Sequence, residues 1–372
     1  MNTMSNIAGT LRRVACWCGA GCTLIAIGLL AAVLALGWRM ESRAFPRALG
    51  NWDENIARAV KRAANQDFVF YVMSDPQRGS GTFRQLLSTI DPESPAFAVI
   101  CGDLVAEPAH ERHKFFSTQV AGAKLHFPVF VVPGNHCTAW GDEGDFTSED
   151  YVRTYGPMQF HFVAGGRLML FLNNAARPDQ TGGFIDYATT VLNEHAGKVK
   201  DVLIFMHTPP AGLTPLVMHR GDPGSKPFYQ LLRKHRVRYV FMGDHHAYWK
   251  GSRGDTTFII TGGAGGTLRG TRGRFHHAVR IAVQGDAISQ TVIVTQEQTG
   301  FWGRCERVIL LHIWPLIVSG HAGWAVTALI AAAAAALMLI SIRALRASRS
   351  PVSAKVGSPR RHARPTNSTK TG

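Results

Sequence analysis

The hydrophobic pattern along the chain has three regimes. From Val14 to Trp38 it runs for 25 residues without a charged side chain. A helix needs about 20 apolar residues to cross the hydrocarbon core of a bilayer, so 14–38 reads as a transmembrane helix. The run exceeds the roughly 7–15 apolar residues of a signal peptide, and Trp38-Arg39-Met40 lacks the small residues of a cleavage site, so an uncleaved anchor is expected. A second uncharged run, Gly323–Ile342, carries six consecutive alanines and reads as a second span. Val308–Ser319 is apolar but short and holds His312 and Pro315. That length predicts a segment at the membrane interface or buried against the rest of the protein.

Between these elements the pattern becomes strand, turn, helix. Six short runs read as strands: Phe68–Met73, Ala96–Cys101, Pro128–Val132, Leu168–Leu172, Val202–Met206 and Tyr239–Met242. Each is rich in β-branched or aromatic residues and is followed by polar residues or glycine. Helical periodicity falls at Trp52–Ala64, Thr82–Ile90, Pro108–Val120 and Pro227–His235. Thr257–Thr295 holds strands alone. The expectation is one α/β domain of about 230 residues with a strand-rich end.

Charge refines this division. The chain of 372 residues has 40 Lys and Arg against 25 Asp and Glu, a net +15. Eight of those basic residues lie in the last 30, which contain no acid, and Arg12 and Arg13 precede the first span. Positive charge beside a span marks the cytoplasmic side. Both termini are therefore expected inside, with the domain extracytoplasmic, on the periplasmic side if the source is bacterial. The region between holds 30 basic and 25 acidic residues, so no nucleic-acid partner is expected from its charge. Arg233–Arg238 (RKHRVR) is too short a basic run to change that.

The expected order is a cytoplasmic amino terminus (1–13), a span (14–38), a linker with a helix (39–66), and the α/β domain (67–298). A membrane-proximal segment (299–322), a second span (323–342) and a basic, disordered tail (343–372) follow. Cys16, Cys18, Cys22, Cys101, Cys137 and Cys305 show no spacing that supports a disulfide framework.

The candidate chemistry lies where the strands end. Ser74-Asp75-Pro76-Gln77, Gly102-Asp103, Gly134-Asn135-His136, His207-Thr208 and Gly243-Asp244-His245-His246 each follow an apolar run directly. In open α/β sheets ligands collect beyond the carboxyl ends of strands, so side chains that span 171 positions, from Asp75 to His246, should converge. Carboxylates, amide oxygens and imidazoles are ligands for divalent metals. No strand-end Ser or Cys has an adjacent base, and no phosphate-binding GxxxxGK loop is present. A two-metal site needs a carboxylate that can bridge the ions, and Asp103, behind Gly102, is the best candidate.

The ordered motifs GD, GNH, H and GxxH resemble those of the calcineurin-like metallophosphoesterase superfamily, over roughly Asp67–Thr295. Arg238–Trp249 (RYVFMGDHHAYW) and Ile260–Gly266 (ITGGAGG) strengthen the resemblance. It implies a four-layer α/β/β/α sandwich, here flanked by transmembrane helices, and a dinuclear metal centre. By resemblance Asp75, Gln77 and His246 bind the first metal, Asp103 bridges, and Asn135 and His207 bind the second. His136 contacts the substrate phosphate and assists the leaving group. The family's first motif is usually D-x-H, and Gln77 takes the His position. Its fifth is usually G-H-x-H; Asp244 takes the first His position, with His245 beside it as an alternative ligand. Cys137 stands where an acid often follows GNH.

The implied activity is hydrolysis of a phosphate ester by a two-metal, bridging-hydroxide mechanism. With Asp244 as a third carboxylate, the ligands and two divalent ions net about +1, against about +2 with histidine. Oxygen ligands favour manganese over zinc, with iron or magnesium as further possibilities. Arg78 is a candidate for pairing with a phosphate oxygen. The acidic loop Thr138–Asp150 is a candidate lid, and Arg269, Arg272 and Arg274 a candidate basic rim. The alternative function is a degenerate member of the same fold that serves as a ligand-binding or membrane scaffold module.

Overall fold

The structure is a computed structural model. It describes residues 2–139, 144–175, 183–214, 225–296 and 300–318, with 328, 331–332, 335–340 and 342–343. The chain divides into two compact units, Val33–Ser319 and the paired segments Met1–Ala32 with Gly320–Gly372.

A first helix, α1, covers Asn2–Glu41. Its stretch Trp17–Glu41 is long and apolar enough to cross a membrane, a property that signal sequences share. Half of the expected second span falls outside the described residues; those described within it, 328, 331–332, 335–340 and 342, are helical. The basic tail lies outside them after residue 343.

In Val33–Ser319 the helices are α2 (Asp53–Arg62), α3 (Ser80–Ile90), α4 (His110–Ala123), α5 (Ser148–Tyr155), α6 (Phe184–His195) and α7 (Ser225–Lys234). The strands are β1 (Phe68–Met73), β2 (Phe97–Cys101), β3 (Val129–Val132), β4 (Phe160–Ala164), β5 (Arg167–Phe171) and β6 (Val202–Phe205). They continue with β7 (Val237–Met242), β8 (Tyr248–Arg253), β9 (Thr256–Thr261), β10 (His276–Gln284) and β11 (Ala287–Thr295). They form two sheets, of order β11-β10-β1-β2-β3 and β4-β5-β6-β7-β9-β8. In the first, β1, β2 and β3 are parallel and β10 runs antiparallel beside β1. In the second, β5, β6, β7 and β9 are parallel, with β4 and β8 antiparallel at the edges.

The strand sequences explain the layering. A strand covered on both faces is apolar throughout, and FVFYVM, FAVIC and VLIF are. Alternate residues then serve two cores. Phe70, Val72, Phe97, Val99 and Phe130 pack between the sheets against Phe162, Phe171, Phe205 and Phe241. A file of rings runs across the second sheet, with centroids 4.1 Å apart for Phe160–Phe171, 4.7 Å for Phe171–Phe205 and 5.2 Å for Phe205–Phe241. Burying each such ring contributes about 1.5–3 kcal/mol. The intervening residues Tyr71, Met73, Ala98 and Ile100 face outward beneath α3 and α4, where Phe83, Leu87 and Phe116 cover them. On the far side Leu168, Leu170, Ile204 and Val240 lie beneath α6 and α7. The result is the four-layer α/β/β/α sandwich.

Beyond β11, helix α8 (Phe301–Val308), a π turn (Ile309–Ile313) and helix α9 (Trp314–Val318) continue one another. Leu310, Leu311, Trp314 and Ile317 are buried with Met40 and Phe115.

Candidate metal centre

Four of the seven candidate ligands leave the carboxyl ends of their strands through a turn that ordinary side chains avoid. Asp75 after β1 has φ +60°, Gln77 +42°, Asp103 after β2 +49° and Asp244 after β7 +64°. These are four of the seven described non-glycine residues in the left-handed region. Such conformations cost about 1–3 kcal/mol each and persist only where surrounding contacts fix them. The fixing contacts are bonds between loops. Asp75 N donates to Gly102 O (3.2 Å), Gln77 N to Asp103 O (3.3 Å), Gly266 N to Asp75 O (2.8 Å) and Gly243 N to His207 O (2.9 Å). Gly102, at φ +92°, packs so closely on His207 that a Cβ there would collide with the imidazole. A Cβ at Gly134 would strike the backbone and carboxylate of Asp103.

The side chains converge as two sets that share Asp103. In the first, ligand atoms of Asp75, Asp103 and His246 lie within 4.8 Å of one another. His246 Nε2 is 3.3 Å from Asp75 Oδ1, and Gln77 Nε2 is 3.0 Å from Asp103 Oδ2. In the second, His207 Nε2 is 3.3 Å from Asp103 Oδ1, 3.2 Å from Asn135 Oδ1 and 3.9 Å from Asp244 Oδ1. The two oxygens of Asp103 thus face different sets.

These residues fit divalent metal ions on three observations. Asp75 Oδ1 is buried and accepts no hydrogen bond. A buried carboxylate oxygen without a donor is costly, and a cation would satisfy it. His207 Nδ1 bonds to Cys101 O at 2.7 Å and His246 Nδ1 to Thr267 O at 2.7 Å. Since a carbonyl only accepts, each Nδ1 carries a proton and each Nε2 is the nitrogen that faces the cluster, so loss of its proton to an incoming metal leaves the tautomer a metal ligand needs.

The electrostatics follow from crowding carboxylates and imidazoles out of water. Burial opposes the charged form of His207, yet Asp103, Asp75 and Asp244 outweigh it and push its pKa up to about 9. Burial likewise opposes the His246 imidazolium, and Asp75 overrides it, so its pKa rises. Burial raises the Asp103 carboxyl, with the Asp75 charge adding to the shift. In Asp75 the burial effect is overcome by His246 and His207, and its pKa falls. Protons held between acids and imidazoles occupy the role that cations would take.

Several sequence expectations meet the structure differently. Gln77 presents Nε2, not its carbonyl oxygen, to Asp103 and His246, so ligation requires the amide to turn over. Asp244, not His245, faces the second set; the His245 ring lies beside Gly270. Arg78 pairs with Glu107, which also holds Arg112. His136 is half-exposed, with Nε2 4.0 Å from Asp103 Oδ2 and its backbone N donating to Asp103 Oδ1 at 3.1 Å. Cys137 is buried behind it, its Sγ accepting from Leu104 N (3.4 Å) and Gly134 N (3.2 Å).

The candidate lid is partly a fastening. Asp145 Oδ1 accepts from His110 N at 3.0 Å, and Asp150 closes a capping box with Thr147 at the start of α5. Trp140–Glu143 lie outside the described residues. Arg269, Arg272 and Arg274 are exposed. A cavity of about 800 Å³, lined by Arg233–Arg238 and Arg253, lies at the opposite, amino-terminal ends of β7 and β9 and holds none of the candidate ligands.

One contributor was not foreseen. Asn174, buried after β5, accepts at Oδ1 from His207 N (3.1 Å) and Thr208 N (3.0 Å) and donates to Thr208 O (2.7 Å). Like the ligands, Asn174 follows an apolar run, LMLFLN, and that was its signal.

A family model described as calcineurin-like phosphoesterase matches residues 68–248. The zebrafish (Danio rerio) serine/threonine-protein phosphatase CPPED1 is 25% identical over 217 residues, 54% of this chain and 68% of that one. Among solved structures, yellow lupin (Lupinus luteus) purple acid phosphatase PPD1 aligns with TM-score 0.48 and 13% identity over 62% of this chain. The match spans only about half, 53%, of that phosphatase. A dimetal phosphatase from Danio rerio aligns with TM-score 0.47 and 14% identity, covering 62% of this chain and 99% of the other. Motif order, convergent acids and imidazoles, and the family match together identify residues 68–248 as a calcineurin-like phosphoesterase domain.

Proposed function

We propose that the protein is a membrane-anchored phosphoesterase that holds two divalent ions, manganese by preference. The supporting observation is the division of Asp103, whose Oδ2 faces Gln77 while Oδ1 faces His207. Asp75, Gln77, Asp103 and His246 would hold one ion, and Asp103, Asn135, His207 and Asp244 the other. Bound there, two divalent ions draw electron density from the phosphate oxygens and lower the pKa of water.

The chain's own groups do the rest. Cys101 O and Thr267 O fix the imidazoles so that each Nε2 points inward. Asp75, Asp103, His207 and His246 are almost wholly buried, which strips competing water from the ligand atoms. His136, anchored through its backbone to Asp103 yet half-exposed at its ring, stands on the open side. There it holds a proton at Nε2 for the oxygen of the departing alcohol. Water adds its oxygen to phosphorus, the ester P–O bond breaks, and the alcohol leaves with that proton.

Asp103→Asn keeps the shape and removes the charge that both sets share. We expect phosphatase turnover to fall at least a thousand-fold with a circular-dichroism spectrum unchanged; full activity in that variant would defeat the bridging assignment. The apolar stretch of α1 supports the anchor, and the terminal arginines support a domain outside the cytoplasm.

A further inference from the structure

Residues 301–318 have two apolar faces, and only one is covered. Leu310, Leu311, Trp314 and Ile317 are buried. On the other side Trp302 is 80% exposed, Leu316 68%, Phe301 63% and Val308 49%. Large aromatic and aliphatic side chains in one exposed stripe are what an interfacial helix presents to lipid.

What covers the stripe is indicated by where it is attached. Trp314 packs on Gly37, where a Cβ would collide with the indole, and its Nε1 donates to Glu41 Oε1 at 3.1 Å. Met40 joins the same buried cluster. Gly37, Met40 and Glu41 belong to the carboxyl end of the stretch long and apolar enough to cross a membrane. Trp38, 72% exposed, lies within that end. The stripe is thus continuous with the place where a spanning helix would leave the hydrocarbon, the level at which tryptophan rings settle.

The other edge of the same segment reaches the metal centre. Glu306 pairs with Arg84 at 3.1 Å, and Arg307 Nη1 donates to the carbonyl of Arg78 at 3.0 Å. Arg78 follows Gln77 directly. Arg78 and Arg112 pair with Glu107, Arg84 pairs with Glu306, and Arg307 lies beside Arg78, so four arginines stand against the two acids they pair with. A net positive shelf therefore lies between the ligand loop and the apolar stripe, complementary to an anionic headgroup whose chains stay in the bilayer.

We propose that the exposed face of 301–318 rests in the headgroup layer of a phospholipid bilayer, and that the metal centre hydrolyses a phosphate ester carried by a lipid of that bilayer. This rests on the phosphoesterase function and the membrane attachment proposed above. Water adds to the phosphorus of the lipid phosphate, the P–O bond to the lipid alcohol or headgroup breaks, and the departing oxygen takes a proton.

The test uses the full chain reconstituted in phosphatidylcholine vesicles with manganese. Soluble and lipid-borne esters are paired: p-nitrophenyl phosphate with phosphatidic acid, and bis(p-nitrophenyl) phosphate with phosphatidylglycerol. The variant Trp302→Glu/Leu316→Glu should lose at least ten-fold on the lipid ester and less than two-fold on its soluble partner. Should the double variant melt early, Trp302→Ser alone, at the most exposed position, carries the same comparison. Equal loss on both substrates in a folded variant, or a wild type that hydrolyses only the soluble ester, overturns the proposal. So does a dimer that the variant dissolves without any effect of lipid. A wild type inactive on all four esters would instead refute the phosphoesterase reading.

Discussion

At the scale of single residues, the centre is defined by strain and by proton position. Gly102 carries both demands, since its φ of +92° excludes ordinary side chains and its bare Cα makes room for His207. Gly102→Ala should lower stability by about 2 kcal/mol or more and reduce bound metal, read as melting temperature and metal content. Oxygen-rich ligation by Asp75, Gln77, Asp103, Asn135 and Asp244 should make manganese restore more activity than zinc to metal-stripped protein; the opposite order would reject the manganese preference. The candidate ligands were legible as a group because they cluster where apolar runs end in polar residues. Their conformations were not. Nothing in the order Asp-Pro-Gln announces two left-handed residues, or a glutamine amide that presents its nitrogen. Asn174 escaped because an Asn-Asn pair at a strand end reads equally as a turn.

At the scale of elements, strands covered on both faces were readable, and the partly exposed edge strands of the second sheet, β4 and β8, were not. β1 and β6 announce themselves as unbroken apolar runs, whereas β8, YWKGSR, is exposed along much of its length and β4 alternates around an exposed Val163. Helix α5 hid within an acidic loop, though Thr147 and Asp150 hold the spacing of a capping box. The link between α4 and the GNH loop carries a pH-dependent load. His113 is stacked on Phe146 at 3.7 Å and bonds both Tyr155 Oη and Cys137 O at 2.9 Å. Burial holds its pKa down to about 3. The fold keeps it neutral, and the unfolded chain takes up the proton below about pH 6.5. Its stabilising contribution is therefore complete above that pH and declines as pH falls toward 3. Between pH 7 and 5 the loss should reach about 2 kcal/mol, read from urea midpoints. His113→Gln should flatten the slope in part; His277, held down to about 4, acts in the same direction, and His207, pushed up to about 9, acts in the opposite one.

At the scale of the whole molecule, the excess charge proved local. Of the net +15, only +5 belongs to Val14–Ile342. An α/β domain was legible from the strand pattern, and the four-layer sandwich only through the motif succession that carries the family resemblance. The arrangement of 301–318 was not, because an apolar segment of that length reads alike whether protein or lipid covers it, and in the structure one face is buried against Met40 and Phe115 while the other is exposed. With α1 as an uncleaved anchor, the chain should stay in the membrane pellet through alkaline carbonate extraction, and protease added outside intact cells should cut the domain. Release by carbonate would fit a cleaved leader instead.

The place of β10 in the first sheet sets a timetable for biogenesis. β1 is flanked by β2 on one side, but its other neighbour is made near the end of the domain, and Gly285 N closes onto Asp67 from 218 positions away. At about 5–20 residues per second, a ribosome needs roughly 10–45 s to supply that partner. Throughout that interval β1 offers an unpaired, apolar edge, while α1 has already emerged ahead of it. The nascent domain therefore calls for a chaperone on the side where it folds, and loss of that chaperone should deplete this protein before it affects sandwiches whose neighbouring strands are consecutive.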